Sequence, residues 1–235
     1  RINYSFHLKL DTVKCVVSLH NPKAAQHKKG LWDLGDRNSV IFKRFSFDQT
    51  LAEQPTSHHF RTDLKSKWQD SKYPLSIYQE SSGGDHWDSP VHKNRFNRVP
   101  FKHKGYQLTL NGNKIQGERA SPVFSIKSTN NLYLNIRFRN FWQNFPKCLS
   151  INNRQLSADI FPEQLPDNHE LQPGEKKTHE FVFSVSNDKD DLSYLEQPIE
   201  ITLNPNWLQD TKALFSFDAG NQSSELQSII DQGIN

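Results

Sequence analysis

The chain has 235 residues, 34% of them hydrophobic, which is lean for a globular protein. Its 11% aromatic content, with 16 phenylalanines and 5 tryptophans, nevertheless excludes a disordered polymer, because these side chains bury the most area. The formal charge of +3 is spread through interspersed signs, so the sequence carries no basic footprint for nucleic acid or a membrane surface, and no stretch approaches the roughly 18 apolar residues of a helical span.

Taken in chain order, the hydrophobic pattern is dominated by period two, the signature of half-buried strands. Tyr4, Phe6, Leu8 and Leu10 alternate with polar residues over 4–10, and Val13, Cys15, Val17 and Leu19 continue the alternation to a turn at Asn21-Pro22. Gly30-Leu31-Trp32-Asp33-Leu34-Gly35-Asp36 then has the composition of a tight turn with apolar plugs. Further strands are predicted over 40–47, 75–79, 106–110, 123–127, 132–139, 156–160, 180–185 and 199–203.

Asn111-Gly112 predicts a hairpin turn, and Asn130-Asn131 and Asn152-Asn153 can serve similarly, since Asn tolerates positive φ. Two long irregular insertions are expected at about 48–74 and 80–105. The first contains His58-His59, read as solvated loop residues. His169 to Glu180 is broken by Pro173-Gly174 and reads as a turn entering a strand, not as a zinc-protease helix.

From Ser223 the pattern changes to that of a short amphipathic helix, with Ser224 and Gln227 at capping-box spacing and Leu226, Ile229 and Ile230 on one face. The expected architecture is therefore all-β, an antiparallel barrel or sandwich over 1–220 with long loops, followed by a helical lead-in at 221–235 to a downstream domain. The chain opens at Arg1 and lacks methionine, which points to a natural start upstream. Cys15 and Cys148 lie in apolar alternating runs and read as buried free thiols, a disulfide being the alternative.

Chemistry concentrates in residues 81–95. Within fifteen positions stand Asp85, His86, Trp87, Asp88, His92, Lys93 and Arg95, behind a flexible Gly83-Gly84. Trp87 offers a flat face for a sugar ring, while His92, Lys93 and Arg95 could hold or deprotonate an acidic substrate. The competing reading is a packed polar loop. Trp142 and Gln143, in the aromatic and amide run 139–147, form a second candidate sugar platform or else seal one end of the fold. The histidine and carboxylate spacings match no metal pattern, so neither a metal nor a cofactor is expected.

The runs Gly30 to Asp36, Tyr78-Gln79-Glu80-Ser81-Ser82-Gly83-Gly84 through Trp87, and His169-Glu170-Leu171-Gln172 with Lys177-Thr178-His179 resemble those of exo-rhamnogalacturonan lyase-like proteins. The resemblance spans most of the chain and implies an N-terminal RIFT-type barrel that precedes a helical toroid. It further implies pectin chemistry on an acidic polysaccharide, in a secreted or periplasmic setting. Arg95 or Lys93 would neutralise a galacturonate carboxylate and His92 or His86 would abstract the C5 proton, with Asp85, Trp87, Asp88, Trp142 and Gln143 contacting substrate. On this reading the domain supplies one wall of a cleft. A non-catalytic carbohydrate-binding module and a structural brace for the next domain are the alternatives.

Overall fold

The computed structural model describes residues 1–7, 9–26, 34–196 and 205–212. By its internal contacts the chain divides into two compact units, Arg1–Gln197 and Pro198–Asn235. The described part of the second unit is a seven-residue helix, α1 (Pro205–Thr211), which starts on a proline whose missing N–H costs nothing at a helix N-terminus. The strand expected at 199–203 and the helix expected from Ser223 lie outside the described residues.

The first unit is an antiparallel β sandwich. Its larger sheet runs in the order β1 (Ile2–His7), β2 (Thr12–His20), β15 (Lys176–Ser186), β11 (Tyr133–Phe138), β10 (Val123–Lys127), β5 (Ser57–Arg61) and β6 (Gln69–Ser71). The smaller runs β4 (Phe45–Thr50), β13 (Gln155–Phe161), β12 (Lys147–Asn152), β7 (Leu75–Gln79), β8 (Tyr106–Leu110) and β9 (Asn113–Gly117). A short ribbon pairs β3 (Val40–Phe42) with β14 (His169–Leu171). Among the described residues both large sheets have open edges, so the architecture is the sandwich of the two expected alternatives.

One core lies between the sheets. The larger contributes Cys15, Val17, Phe60, Phe124, Ile136 and Phe181, and the smaller contributes Ile77, Leu108, Leu149, Leu156, Ala158 and Ile160. Both cysteines are buried free thiols, and burial raises the Cys15 pKa to about 11. Beyond this core the inner face overhangs: Ile2, Tyr4 and Phe6 pair with Val17, Cys15 and Val13 and share their face, yet Phe6 is 69% exposed.

The opposite face of the larger sheet is covered by residues 187–196. Val182, Leu192 and Leu195 make a second apolar cluster there. Beside it Arg137, fully buried, donates to the Asp191 carbonyl at 2.9 Å and pairs with Glu196.

Three hairpins turn on asparagine at positive φ: Asn111 with Gly112, Asn131, and Asn153. The expected irregular insertion at 48–74 instead contains the end of β4 and all of β5 and β6. His58 is correspondingly buried rather than solvated, with Nδ1 3.3 Å from the Tyr73 carbonyl, and His59 pairs with Asp70 at 2.5 Å. The insertion at 80–105 remains irregular apart from one 3-10 turn, Pro90–His92.

Two glycines separate conformational strain from steric overlap. Gly112 has φ +78° and open space where a Cβ would sit, whereas a Cβ on Gly83, at φ +72°, would stand 1.9 Å from the Glu118 carbonyl oxygen. Gly112→Ala should therefore cost about 1–2 kcal/mol from the left-handed backbone alone. Gly83→Ala should cost at least twice as much, measured by urea unfolding of both variants.

Candidate functional site

The long loop at 80–105 is clamped at its neck by buried polar side chains. Glu80 accepts from the backbone N–H groups of Lys102 and of His103, the latter at 3.1 Å, while Ser81 Oγ accepts from Gly105 N at 2.8 Å. Gln79 donates to the Ser81 and Glu118 carbonyls and accepts from Ala120 N. With its ends fixed, the loop sends residues 92–95 toward the segment 161–170. Asp167 receives them there, accepting from Asn94 Nδ2 at 2.7 Å and from Arg95 at 3.1 Å.

This crossing encloses a cleft of about 490 Å³, within the range of small-molecule sites. Its walls come from the loop (His92, Arg95, Phe101), the 143–146 turn, the end of β13 at Phe161, β14 (His169, Glu170) and the start of β15 (Lys177, His179). Phe101 and Phe145 meet edge-on at 5.6 Å, and His92 lies 5.7 Å from each. Phe161 stands edge-on to both His169 and His179, at 5.1 and 5.2 Å. Apolar ring faces and hydrogen-bonding imidazoles therefore share one concave surface. A second cavity of about 400 Å³, bordered by Phe47, Leu134, Leu156 and Phe183 with Gln49, Thr50 and Arg154, is mainly apolar.

Of the residues expected to form the site, His92, Arg95 and Gln143 line this cleft. Asp85, His86, Asp88 and Lys93 are exposed on the loop and do not line it, with Asp85 3.4 Å from Lys104 Nζ. Trp87 is partly buried outside the cleft, and one face of Trp142 is already covered by the Arg119 guanidinium at 4.2 Å. His169, His179 and Lys177 were not among the expected site residues, although the alternation Lys177, His179, Phe181, Phe183 places them on the inner stripe of β15 or beside it. That parity is the signal by which His179 and Lys177 can be found.

The electrostatics are balanced. Arg95 faces Asp167, Lys177 lies 3.2 Å from Glu175, and Glu170 accepts from Gly35 N and Ser39 Oγ, each at 2.7 Å. Burial holds the His169 pKa down to about 4, with the charges of Lys43, Lys147 and Lys177 adding to it. It holds His179 down to about 3, again reinforced by Lys147 and Lys177. Both imidazoles are thus neutral at physiological pH. Beneath them Lys147, buried and donating to the Ile160 carbonyl at 2.9 Å, is lowered to about 7 by burial and by Lys177. Among the described residues no group of three or more histidine, cysteine or carboxylate side chains could hold a metal.

No family model matches the chain. Nor does any curated protein. Among solved structures the chain is similar to the Slr1438 protein from Synechocystis, at 8% identity and TM-score 0.33, covering 80% of this chain and 54% of that one. It is also similar to a candidate aldose 1-epimerase from Klebsiella pneumoniae, at 12% identity and TM-score 0.20, covering 83% of this chain and 56% of that one. The chain spans just over half the length of each. Likenesses this slight carry no functional argument.

The two depressed histidines make stability depend on pH in a definite direction. In the unfolded chain both titrate near 6.5, so as pH falls from 6.5 toward 4 the unfolded state binds protons that the fold refuses, and stability is lost. At about 1.4 kcal/mol per tenfold change in proton affinity, the pair should cost a few kcal/mol across that window. The urea midpoint should drop between pH 6.5 and 4.5, and the drop should shrink in His169→Gln/His179→Phe.

Proposed function

We propose that the cleft binds an acidic saccharide of the rhamnogalacturonan or pectin type and forms one wall of a site for β-elimination. The observation that carries the reading is the convergence of a guanidinium, neutral imidazoles and phenyl faces on one concave surface. Pyranose rings present apolar C–H faces that pack on Phe101 and Phe145, and hydroxyls that need donors and acceptors. Arg95 presents a planar fork suited to a carboxylate, and one of its five N–H donors goes to Asp167.

In this mechanism Arg95 neutralises the uronate carboxylate and so acidifies the C5 proton, which His92 takes as general base. The electron pair of the broken C–H bond becomes the C4–C5 double bond, the C4–O bond breaks, and the departing oxygen takes a proton from solvent. Atoms and charge balance without an oxidant or a metal. Of the four side chains weighed for these roles, this assignment keeps the two that line the cleft and gives none to His86 or Lys93.

A second reading, a carbohydrate-binding module without turnover, is favoured by a specific feature: each cleft cation already faces a carboxylate, Arg95 on Asp167 and Lys177 on Glu175. Such pairing limits the charge left over to stabilise an enolate-like transition state.

One assay separates the two. The full chain is titrated with oligogalacturonate and with neutral galactan oligosaccharides by calorimetry, and the ultraviolet absorbance of the unsaturated product is followed. The lyase reading predicts preference for the acidic oligosaccharide and slow product formation that His92→Ala reduces at least 100-fold with little change in affinity. Saturable binding without product would leave the binding module standing, and no binding of either sugar would remove both.

A further inference from the structure

Alternate side chains of β5 face opposite ways. His58 and Phe60 are buried toward the interior, so Ser57 and His59 share the outer face of the larger sheet. There Ser57 Oγ lies 2.9 Å from His59 Nε2, and His59 Nδ1 lies 2.5 Å from Asp70 Oδ1 on β6, where His59 and Asp70 are paired in register. A carboxylate only accepts, so Nδ1 must carry the proton that joins the ring to Asp70. Nε2 of the neutral ring is then the lone-pair nitrogen, and the Ser57 hydroxyl must be the donor to it. The order hydroxyl, Nε2, Nδ1, carboxylate is the one in which an imidazole can withdraw a serine proton while a carboxylate holds its orientation. His103 shows the contrast: it stands 3.5 Å from Glu80, but its Nε2 has no partner, so no hydroxyl is engaged there.

The relay is open to solvent, since Ser57 and His59 are partly exposed and Asp70 is exposed. Across the strand pair from Ser57 stands Lys127, whose ammonium lies 5.6 Å over the Tyr133 ring and has no carboxylate partner among the described residues. The Tyr133 ring in turn lies 5.7 Å from that of His59. None of these residues lines the cleft between the sheets.

We propose that Ser57, His59 and Asp70 form an acyl-transfer site for small carboxylic esters, with Ser57 as nucleophile, His59 as general base and Asp70 as a positioning residue. Ser57 Oγ bonds to the ester carbonyl carbon as its proton passes to His59 Nε2, and the carbonyl π pair moves onto oxygen, where the charge of Lys127 favours it. Collapse re-forms the carbonyl and breaks the bond to the alcohol oxygen, which leaves with the proton held by His59. Water then attacks the acyl-Ser57, giving its proton to His59, which returns it to the departing Ser57 oxygen. Ester and water become acid and alcohol, and no other reactant is consumed. The open sheet face suits a short acyl group, with the Tyr133 ring available to an apolar leaving group. This activity is independent of the cleft and of any sugar bound there.

The test incubates the full chain with a fluorophosphonate and, separately, with p-nitrophenyl acetate, and locates the adduct by peptide mass spectrometry. Ser57 should carry the phosphonyl or acetyl group, and p-nitrophenol should be released. Ser57→Ala should abolish the adduct, and His59→Gln should slow its formation at least 100-fold. Asp70→Asn should slow it at least tenfold at unchanged melting temperature, and Asp70→Glu should restore part of the rate.

No adduct at Ser57 would overturn the site. So would ester hydrolysis at the native rate in Ser57→Ala, which would make His59 a nucleophile acting alone. Should His59→Gln fail to fold, the position of the adduct on the native chain decides.

Discussion

The fold depends on aromatic side chains pressed between two sheets. Phe47 of the smaller sheet packs on Phe181 and Phe183 of the larger at 5.3 and 6.0 Å, and Phe138 meets both Phe141 and Phe181 within 6 Å. Large rings bury enough area to hold a sandwich together in a chain otherwise lean in aliphatic residues, and they fix the distance between the layers. That spacing cannot simply stop at the sheet ends. Where β13 and β15 run out, the inner stripe passes from Phe181 to His179 and Lys177, and from Ile160 to Phe161, and the gap between layers opens as the cleft. The site is the polar continuation of the core rather than a hollow added to its surface.

Continuity with the core explains why the ionisable groups there behave as they do. Lys147, His169 and His179 occupy positions where the low dielectric penalises charge, and each responds by losing proton affinity. The positive charges of Lys147 and Lys177 add to this, each making protonation of the two imidazoles less favourable. On the opposite face of the larger sheet the solution is different. Arg137 cannot shed its proton, and its terminal nitrogens are partnered instead by the Asp191 carbonyl, Ser121 and Glu196, while Nε has no partner among the described residues. The sandwich thus buries cationic side-chain types both at the end of its interlayer core and on the outer face of the larger sheet, kept from charging by desolvation in the first place and paired in the second.

Much of the sandwich was legible in the sequence because its strands alternate. The runs 75–79, 106–110 and 123–127 coincide with β7, β8 and β10, and Asn111-Gly112 turns the hairpin between β8 and β9 as its φ preference requires. The unread strands are those in which alternation fails. β5 buries His58 and Phe60, so its inner face is half polar, and β12 begins on the buried pair Lys147-Cys148. β9 has no buried residue at all. The candidate site was half legible. The charge density of residues 81–95 identified the loop, but composition is blind to which end of a clamped loop faces inward. The other half of the cleft comes from 161–179, distant in sequence and joined to the loop by the bonds of Asp167 to Asn94 and Arg95.

The charge balance of the cleft also bears on what it selects. Two cations and two carboxylates line it, and the cations already face acidic partners, so little long-range field remains to draw in a simple anion. On the proposed reading, recognition then comes from short-range fit, with ring faces packed against Phe101 and Phe145. Hydrogen bonds to neutral partners are individually modest but strict in geometry, and a buried donor or acceptor left unmatched by a wrong ligand is costly. A cleft built this way is suited to selecting a ligand by the placement of its hydrogen-bonding groups before its charge, and on the proposed reading that ligand is a sugar.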